Sequence, residues 1–448
     1  MSGELFGPIF VPERFREAVS GGAWLRAMLE AEGALARAGA RAGVVPPEAA
    51  EEISRRCREL ELDPEELGER GRAAGNPVPA LVKELTAAVP GEAARHVHRG
   101  ATSQDITDTA AMLISREALG LILRELDGVC AACARLAEEH RETLVAGRTL
   151  LQQALPTTFG LKAAGWLVAA LEARRVLREA RERGLAAQLG GAAGTLASLG
   201  ERGTRVLREY ARLLALPEPA LPWHAARFRV AELGGALALA AGTLHKVALD
   251  VILMAQTEVG EAAEPSGGGR GGSSTLPHKR NPILSVVASA NARRVQDLAR
   301  TLYGSLAQEH ERAAGAWHAE WEALSGALAL TGGAAAAVRE ALEGLEVRPG
   351  RMAENLGVTE GLILAENVTT LAAERLGRLE AHELVEAACR RVAEGGGTLR
   401  EEILAEPRLR EALSEEEIEG ALDPARYLGA ADEFVDRALE MYRREGQR

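Results

Sequence analysis

The chain has 448 residues, enough to bury a large core, and its 47% apolar and 26% charged residues are ordinary for a soluble globular protein. That balance excludes disorder, a collagen-like fibre and a disulfide scaffold. The net charge of -12 argues against nucleic acid or a membrane surface as partner, since both select for excess positive charge. It does not exclude an anionic substrate, because a few local cations and backbone donors set the sign of a pocket.

Met1-Ser2-Gly3-Glu4-Leu5-Phe6 lacks a basic segment leading into an apolar one. The most apolar stretch, Gly234 to Leu244, is interrupted by His245-Lys246, short of the roughly 20 residues of a membrane span. Four cysteines in so long a chain give no disulfide framework and fit a reducing compartment. The expected location is the cytoplasm.

Residues 1–110 carry short helical patterns broken by Gly and Pro, at Gly43-Val44-Val45-Pro46-Pro47 and at Gly75-Asn76-Pro77. They predict an N-terminal helical domain. Residues 111–352 predict a central bundle of five long helices at about 110–150, 155–185, 225–260, 282–308 and 318–345. In the first of these, Leu119, Ile122, Leu123, Leu126, Cys130 and Cys133 step by three and four residues into one apolar stripe. Cys130 and Cys133 have metal-site spacing but lie on that stripe with no second pair, and read as core thiols. The uncharged, small-residue run from Leu233 to Ala241 predicts a helix buried from several sides. Residues 353–448 predict a small C-terminal helical domain, with Ser414 capping a helix that opens on Glu415-Glu416-Glu417. The fold class is all-α.

One segment breaks the helical pattern. Residues 265–282 hold the Gly-rich run Gly267 to Gly272, then Ser273-Ser274, then Pro277-His278-Lys279-Arg280-Asn281-Pro282. The glycines alone hold no fixed conformation, which predicts a mobile loop between two long helices. Lys279 and Asn281 stand just before a helix start at Pro282, a good place to receive a carboxylate. A Gly-rich spacer is the alternative, but Pro-His-Lys-Arg-Asn-Pro is too structured for one. The glycines do not have phosphate-loop spacing, and His318-Ala319-Glu320-Trp321 is not a zinc motif.

Gly272 to Pro282 resembles the signature loop of the fumarase/aspartase superfamily, written G-S-S-x-x-P-x-K-x-N-P. Two further blocks follow the superfamily order, His98-Arg-Gly-Ala-Thr102-Ser103-Gln104-Asp105 and Gly147-Arg148-Thr149-Leu150-Leu151-Gln152-Gln153. Within the superfamily the details resemble the bacterial 3-carboxy-cis,cis-muconate cycloisomerases nearly end to end, with Ala74-Gly75-Asn76, Gln308 to Arg312, Trp317 to Trp321 and Tyr427 to Gly429 in support. Adenylosuccinate lyases are the nearest cousins and share Pro-His-Lys-Arg-Asn-Pro.

The resemblance implies a three-domain fold and a homotetramer with a core of about twenty helices. It also implies active sites shared between three subunits, a small tricarboxylate substrate, and no metal or organic cofactor. Ser273 is implied as the proton-transfer residue, with Ser274 as the alternative. Substrate contacts are implied for Asn76, Thr102, Ser103, Gln104, Arg148, Thr149, Gln152, Lys279 and Asn281. Arg148 and Arg312 read equally well as carboxylate binders or as structural ion pairs, and Glu264 equally well as a residue that positions the loop or pairs with a base, or as a simple helix-end carboxylate. His98, His278 and His310 are further pocket candidates without an order among them.

One departure discriminates between activities. Adenylosuccinate lyases and fumarases carry His directly after Gly-Arg-Thr, where it serves the leaving group; here that place is Leu150. Asn76 stands where a second lyase His aligns, and Gln153 where some cycloisomerases have His. An amine needs a proton to depart, whereas a lactone opens by releasing a carboxylate of pKa about 4, which needs none. The sequence therefore favours cyclisation of 3-carboxy-cis,cis-muconate to 4-carboxymuconolactone over a succinyl-amine elimination that releases fumarate.

Overall fold

The computed structural model describes residues 5–266, 271, 272, 275, 276 and 278–446. Helices dominate. We label eight of them: α1 (Gly21–Arg41), α2 (Pro47–Glu59), α3 (Ser103–Glu139), α4 (Phe159–Glu179), α5 (Gly203–Leu214), α6 (Phe228–Met254), α7 (Ile283–Gly304) and α8 (Ala316–Glu343). The five long helices expected from periodicity are α3, α4, α6, α7 and α8.

The first of them ends early. Residues 144–158, assigned by the sequence partly to a helix, form an antiparallel hairpin of β1 (Leu144–Thr149) and β2 (Gln152–Thr158). Thr149 pairs with Gln152, so Leu150 and Leu151 make a two-residue turn with φ of 51° and 66°. Such turns need positive φ at both positions and strongly prefer Asn-Gly. Two leucines carry no such signal, which is why the hairpin escaped the sequence reading. A second, minimal pair joins β3 (Ala262–Ala263) to β4 (Glu346–Val347).

The chain divides into two compact units. The first holds Met1–Asp127, Glu172–Lys246 and Val286–Arg339; the second holds Gly128–Leu171, Val247–Ser285 and Glu340–Arg448. Each of the five long helices carries the chain from one unit into the other, so neither unit is a continuous stretch of sequence. The first unit is cored by Phe15, Ile53, Leu81, Leu85, Ile106 and Tyr210, all fully buried. The second contains a separate C-terminal core around Val368, Val385, Leu399, Ile403, Leu409 and Ile418. There Ser414 caps its helix as expected, with Glu417 returning the bond in a full capping box.

Cys130 and Cys133 are fully buried on α3, and burial pushes the Cys133 thiol well up, as core thiols require. Helix α6 runs straight through His245-Lys246 and, by length and composition, is apolar enough to cross a membrane. Half of that apolar window is buried inside the protein, the pattern of a core helix.

Candidate active site

In the first unit the Thr102-Ser103-Gln104-Asp105 block opens α3. Asp105 is fully buried, and its carboxylate is the organising group. Oδ2 accepts from the Thr102 and Gly191 amides, both at 2.9 Å; Oδ1 accepts from the Gly190 amide at 2.8 Å and meets His224 Nε2 at 2.6 Å. Four partners compensate the cost of burying the charge. The result ties the first turn of α3 to the loop at Gly190-Gly191. Only glycine fits there: a Cβ on Gly190 would lie 2.7 Å from both His224 and Pro222, and Gly191 has a φ of 68° with the Gly100 carbonyl 3.0 Å from its Cβ position.

Thr102 and Ser103 remain partly exposed. Gln104 does not. It is fully buried, its amide nitrogen Nε2 donating to the His224 carbonyl at 2.9 Å and its Oε1 accepting from Arg312 Nη1 at 3.4 Å. It acts as an internal strut. Arg312 spans from there to the Ala192 carbonyl at 2.8 Å.

Asn76 lies elsewhere in this unit, on an apolar cavity of about 420 Å³ walled by Trp24, Met28 and Trp321. Its side chain closes its own turn, accepting from the Val78 amide and donating to the Ala74 carbonyl. Arg227 bridges Asp108 of α3 and Glu320 of α8, all three nearly fully buried, and Trp317 Nε1 donates to Asp108 at 3.0 Å.

In the second unit the hairpin presents Arg148, Thr149 and Gln152. Arg148 makes a two-pronged ion pair with fully buried Glu261, at 2.7 and 2.9 Å. Asn355 Nδ2 donates to the same carboxylate at 2.8 Å, and Gln153 Nε2 donates to the Asn355 carbonyl at 2.8 Å. Of the two readings of Arg148, the geometry is that of the structural ion pair: it anchors the hairpin close to its turn, one pair back from Thr149 and Gln152. Thr149 and Gln152 are exposed near the tip.

The signature loop borders a cavity of about 780 Å³ in the same unit, with Lys279 and Asn281 on its lining. Ser273 and Ser274 lie outside the described residues. Asn281 ties the loop's two arms together, its backbone amide and its Nδ2 both donating to the Gly271 carbonyl at 2.8 and 3.1 Å. Lys279 is exposed. The helix start that the sequence offered to a substrate carboxylate already holds one: Glu264 accepts from the Leu284 and Ser285 amides at 2.9 and 2.7 Å. Arg280 then binds the Glu264 carbonyl at 3.1 Å and grips Glu346 with both nitrogens. Among the described residues, no cluster of three His, Cys, Asp or Glu side chains is arranged to hold a metal ion.

Comparison with known proteins fits this architecture. The profile described as "Lyase" matches residues 13–296, and that described as "Adenylosuccinate lyase C-terminus" matches residues 361–438. The chain belongs to the fumarase/aspartase superfamily of lyases. It is 47% identical over 439 residues to a 3-carboxy-cis,cis-muconate cycloisomerase of Pseudomonas aeruginosa, covering 97% of this chain and 96% of that one. It is 46% identical to a nitrosuccinate lyase of Streptomyces davaonensis, over 97% and 94% of the two chains. The crystal structure of the 3-carboxy-cis,cis-muconate lactonizing enzyme from Pseudomonas putida superposes with a TM-score of 0.93 at 43% identity, over 99% of each chain. The fold is therefore the all-α fold of this superfamily.

Several residues that shape the superfamily blocks went unread in the sequence. Glu261 and Asn355 anchor the hairpin, His224 and Gly190-Gly191 hold the α3 start, and Glu32 reaches His98 at 2.6 Å. Only Gly190-Gly191, a glycine pair in a run of small residues, left a local signal; the others are polar groups whose partners are distant in sequence.

Proposed function

We propose that the chain is a 3-carboxy-cis,cis-muconate cycloisomerase, forming 4-carboxymuconolactone in the protocatechuate branch of aromatic catabolism. One carboxylate of the substrate adds to the diene within the same molecule. A C–O bond forms, negative charge moves onto a neighbouring carboxylate as its aci form, and the adjacent carbon takes a proton. The proton donor is Ser273, with Ser274 the alternative; water then reprotonates the serine. Lys279, Asn281 and the Thr102 and Ser103 hydroxyls supply donors to the developing charge. Holding nucleophile and diene in one molecule gives a large proximity advantage.

The observation that carries this reading is Leu150 at the tip of the hairpin. It is 96% exposed and has no proton to give. A reaction whose leaving group is a carboxylate needs none, and an amine elimination does. The assembly is proposed to be a homotetramer with each site drawn from three subunits. Supporting it, Leu150 and Leu151 form an exposed apolar tip, and Phe228 and Leu239 of α6 with Ile283 and Val286 of α7 leave further apolar surface uncovered. The unbridged thiols support a reducing, cytoplasmic setting.

The nitrosuccinate lyase relative raises a second reading. Nitrite, like a carboxylate, departs as a stable anion without a proton, so Leu150 is equally compatible with it. Ser273→Ala tests the mechanism common to both. General acid–base catalysis contributes about 10²–10⁴-fold, so turnover of the muconate should fall by that order. Near-normal turnover would remove Ser273 from the role.

A further inference from the structure

An acid–imidazole pair in the first unit has no part in the steps above. Glu32 lies on α1 and is 1% exposed. Its Oε1 meets Nδ1 of His98 at 2.6 Å, and its Oε2 has no partner among the described residues. A carboxylate is costly to bury unless a cation faces it. His98 has a φ of 56°, a conformation that non-glycine residues rarely adopt. Strain of this kind persists where the surroundings enforce it and is concentrated at functional sites. The turn it makes leads within five residues to Thr102 and Ser103.

Nδ1 is committed to Glu32, while Nε2 has no partner among the described residues and the ring is 19% exposed. Burial lowers the affinity of the imidazole for its proton, but the charge and hydrogen bond of Glu32, with Asp105 on α3 behind, outweigh it and hold His98 above its ordinary value. Two neutral groups share the field of Glu32, and the charges of Arg37, Arg58 and Glu30 reach those groups as well. Cys57 on α2 is pushed up to about 12 by burial and by Glu32, and Tyr210 on α5 is pushed well up by burial. Arg312 is directed at the Gln104 side chain and the Ala192 carbonyl.

We propose that His98 is a substrate-binding cation whose outward Nε2–H receives a carboxylate of the ligand, and that Glu32 is the positioning residue that holds the ring. The proposal rests on the tricarboxylate reading and adds a residue to that site. It also ranks His98 above His278 and His310.

The test uses the full-length enzyme and His98→Asn, since Asn tolerates positive φ and keeps a donor for Glu32 while losing the cation. A charge-assisted hydrogen bond is worth about ten- to hundredfold in affinity. His98→Asn should raise KM for the muconate by that factor with kcat little changed, and weaken binding of tricarballylate, a non-reacting tricarboxylate, equally by calorimetry. Wild-type binding of tricarballylate should weaken as pH rises through the His98 transition, and Glu32→Gln should move that transition to lower pH. If Glu32→Gln does not fold, His98→Asn decides alone. Folded His98→Asn with wild-type KM, tricarballylate affinity and pH profile overturns the proposal. A wild type that binds tricarballylate through His98 yet leaves the muconate untouched would instead defeat the functional reading.

Discussion

Replacing the hairpin tip with its preferred turn, Leu150→Asn with Leu151→Gly, separates the local conformation of the tip from its use. Both leucines are in the left-handed region, which costs an L-residue about 1–2 kcal/mol each. Asn-Gly relieves most of that, against about 0.5–1 kcal/mol for the added freedom of glycine in the unfolded chain. The side chains are 96% and 76% exposed, so the isolated chain loses almost no packing. Its own stability should therefore rise by about 1–3 kcal/mol. In an assembly that buries the tip against another copy, each leucine is instead worth about 1.5–3 kcal/mol of association. The expected outcome is a variant that dissociates at higher concentration than wild type and loses turnover in parallel. Light scattering and diene bleaching over one dilution series measure both. A variant that stays assembled and fully active would refute the shared-site account. A fall in the stability of the dissociated chain would refute the strain argument.

Other expectations follow from particular contacts. Glu264→Ala leaves two helix amides uncapped at the base of the signature loop. It should cost about 1–2 kcal/mol in urea melts and lower kcat, whereas a wild-type melt would mean the cap is idle. Arg227→Met strands two buried carboxylates and should cost about 3–5 kcal/mol, read as an early thermal transition. Glu261→Gln should loosen the hairpin and reduce turnover while secondary structure by circular dichroism stays intact. In the C-terminal core, the Arg375 ion pair and the capping bonds of Ser414 lower the Glu417 carboxyl to about 2. Its stabilisation is thus full above the ordinary carboxylate value of 4.5 and lost as pH falls toward about 2. Glu417→Gln should flatten the acid limb of the melting curve over that window.

The sequence was most legible where periodicity or chemistry is local. Long apolar stripes on a 3.6-residue repeat placed the five long helices, and the Ser414 cap followed from one residue type at one position. The signature blocks were readable for the same reason: their residues are contiguous. The hairpin was not, because its turn uses leucines where glycine and asparagine are the usual signal. The interleaving of the two units was also hidden, since every long helix serves both and no composition change marks the passage. Motif membership also does not fix what a side chain touches within the chain. Gln104 and Arg148 sit in the right blocks, but their side chains are bonded to His224, Arg312 and Glu261. Glu264 is the helix-end carboxylate that was one of its two readings, but that it caps the very helix start offered to a substrate carboxylate is a pairing across about twenty residues.

The most direct test is ultraviolet bleaching of the conjugated diene of 3-carboxy-cis,cis-muconate by the purified protein, with nitrite release from nitrosuccinate and fumarate release from adenylosuccinate followed in parallel. The account predicts rapid bleaching and no fumarate from adenylosuccinate. Nitrite release with an intact diene would move the activity to nitrosuccinate while sparing the argument from Leu150. Fumarate from adenylosuccinate would contradict that argument outright.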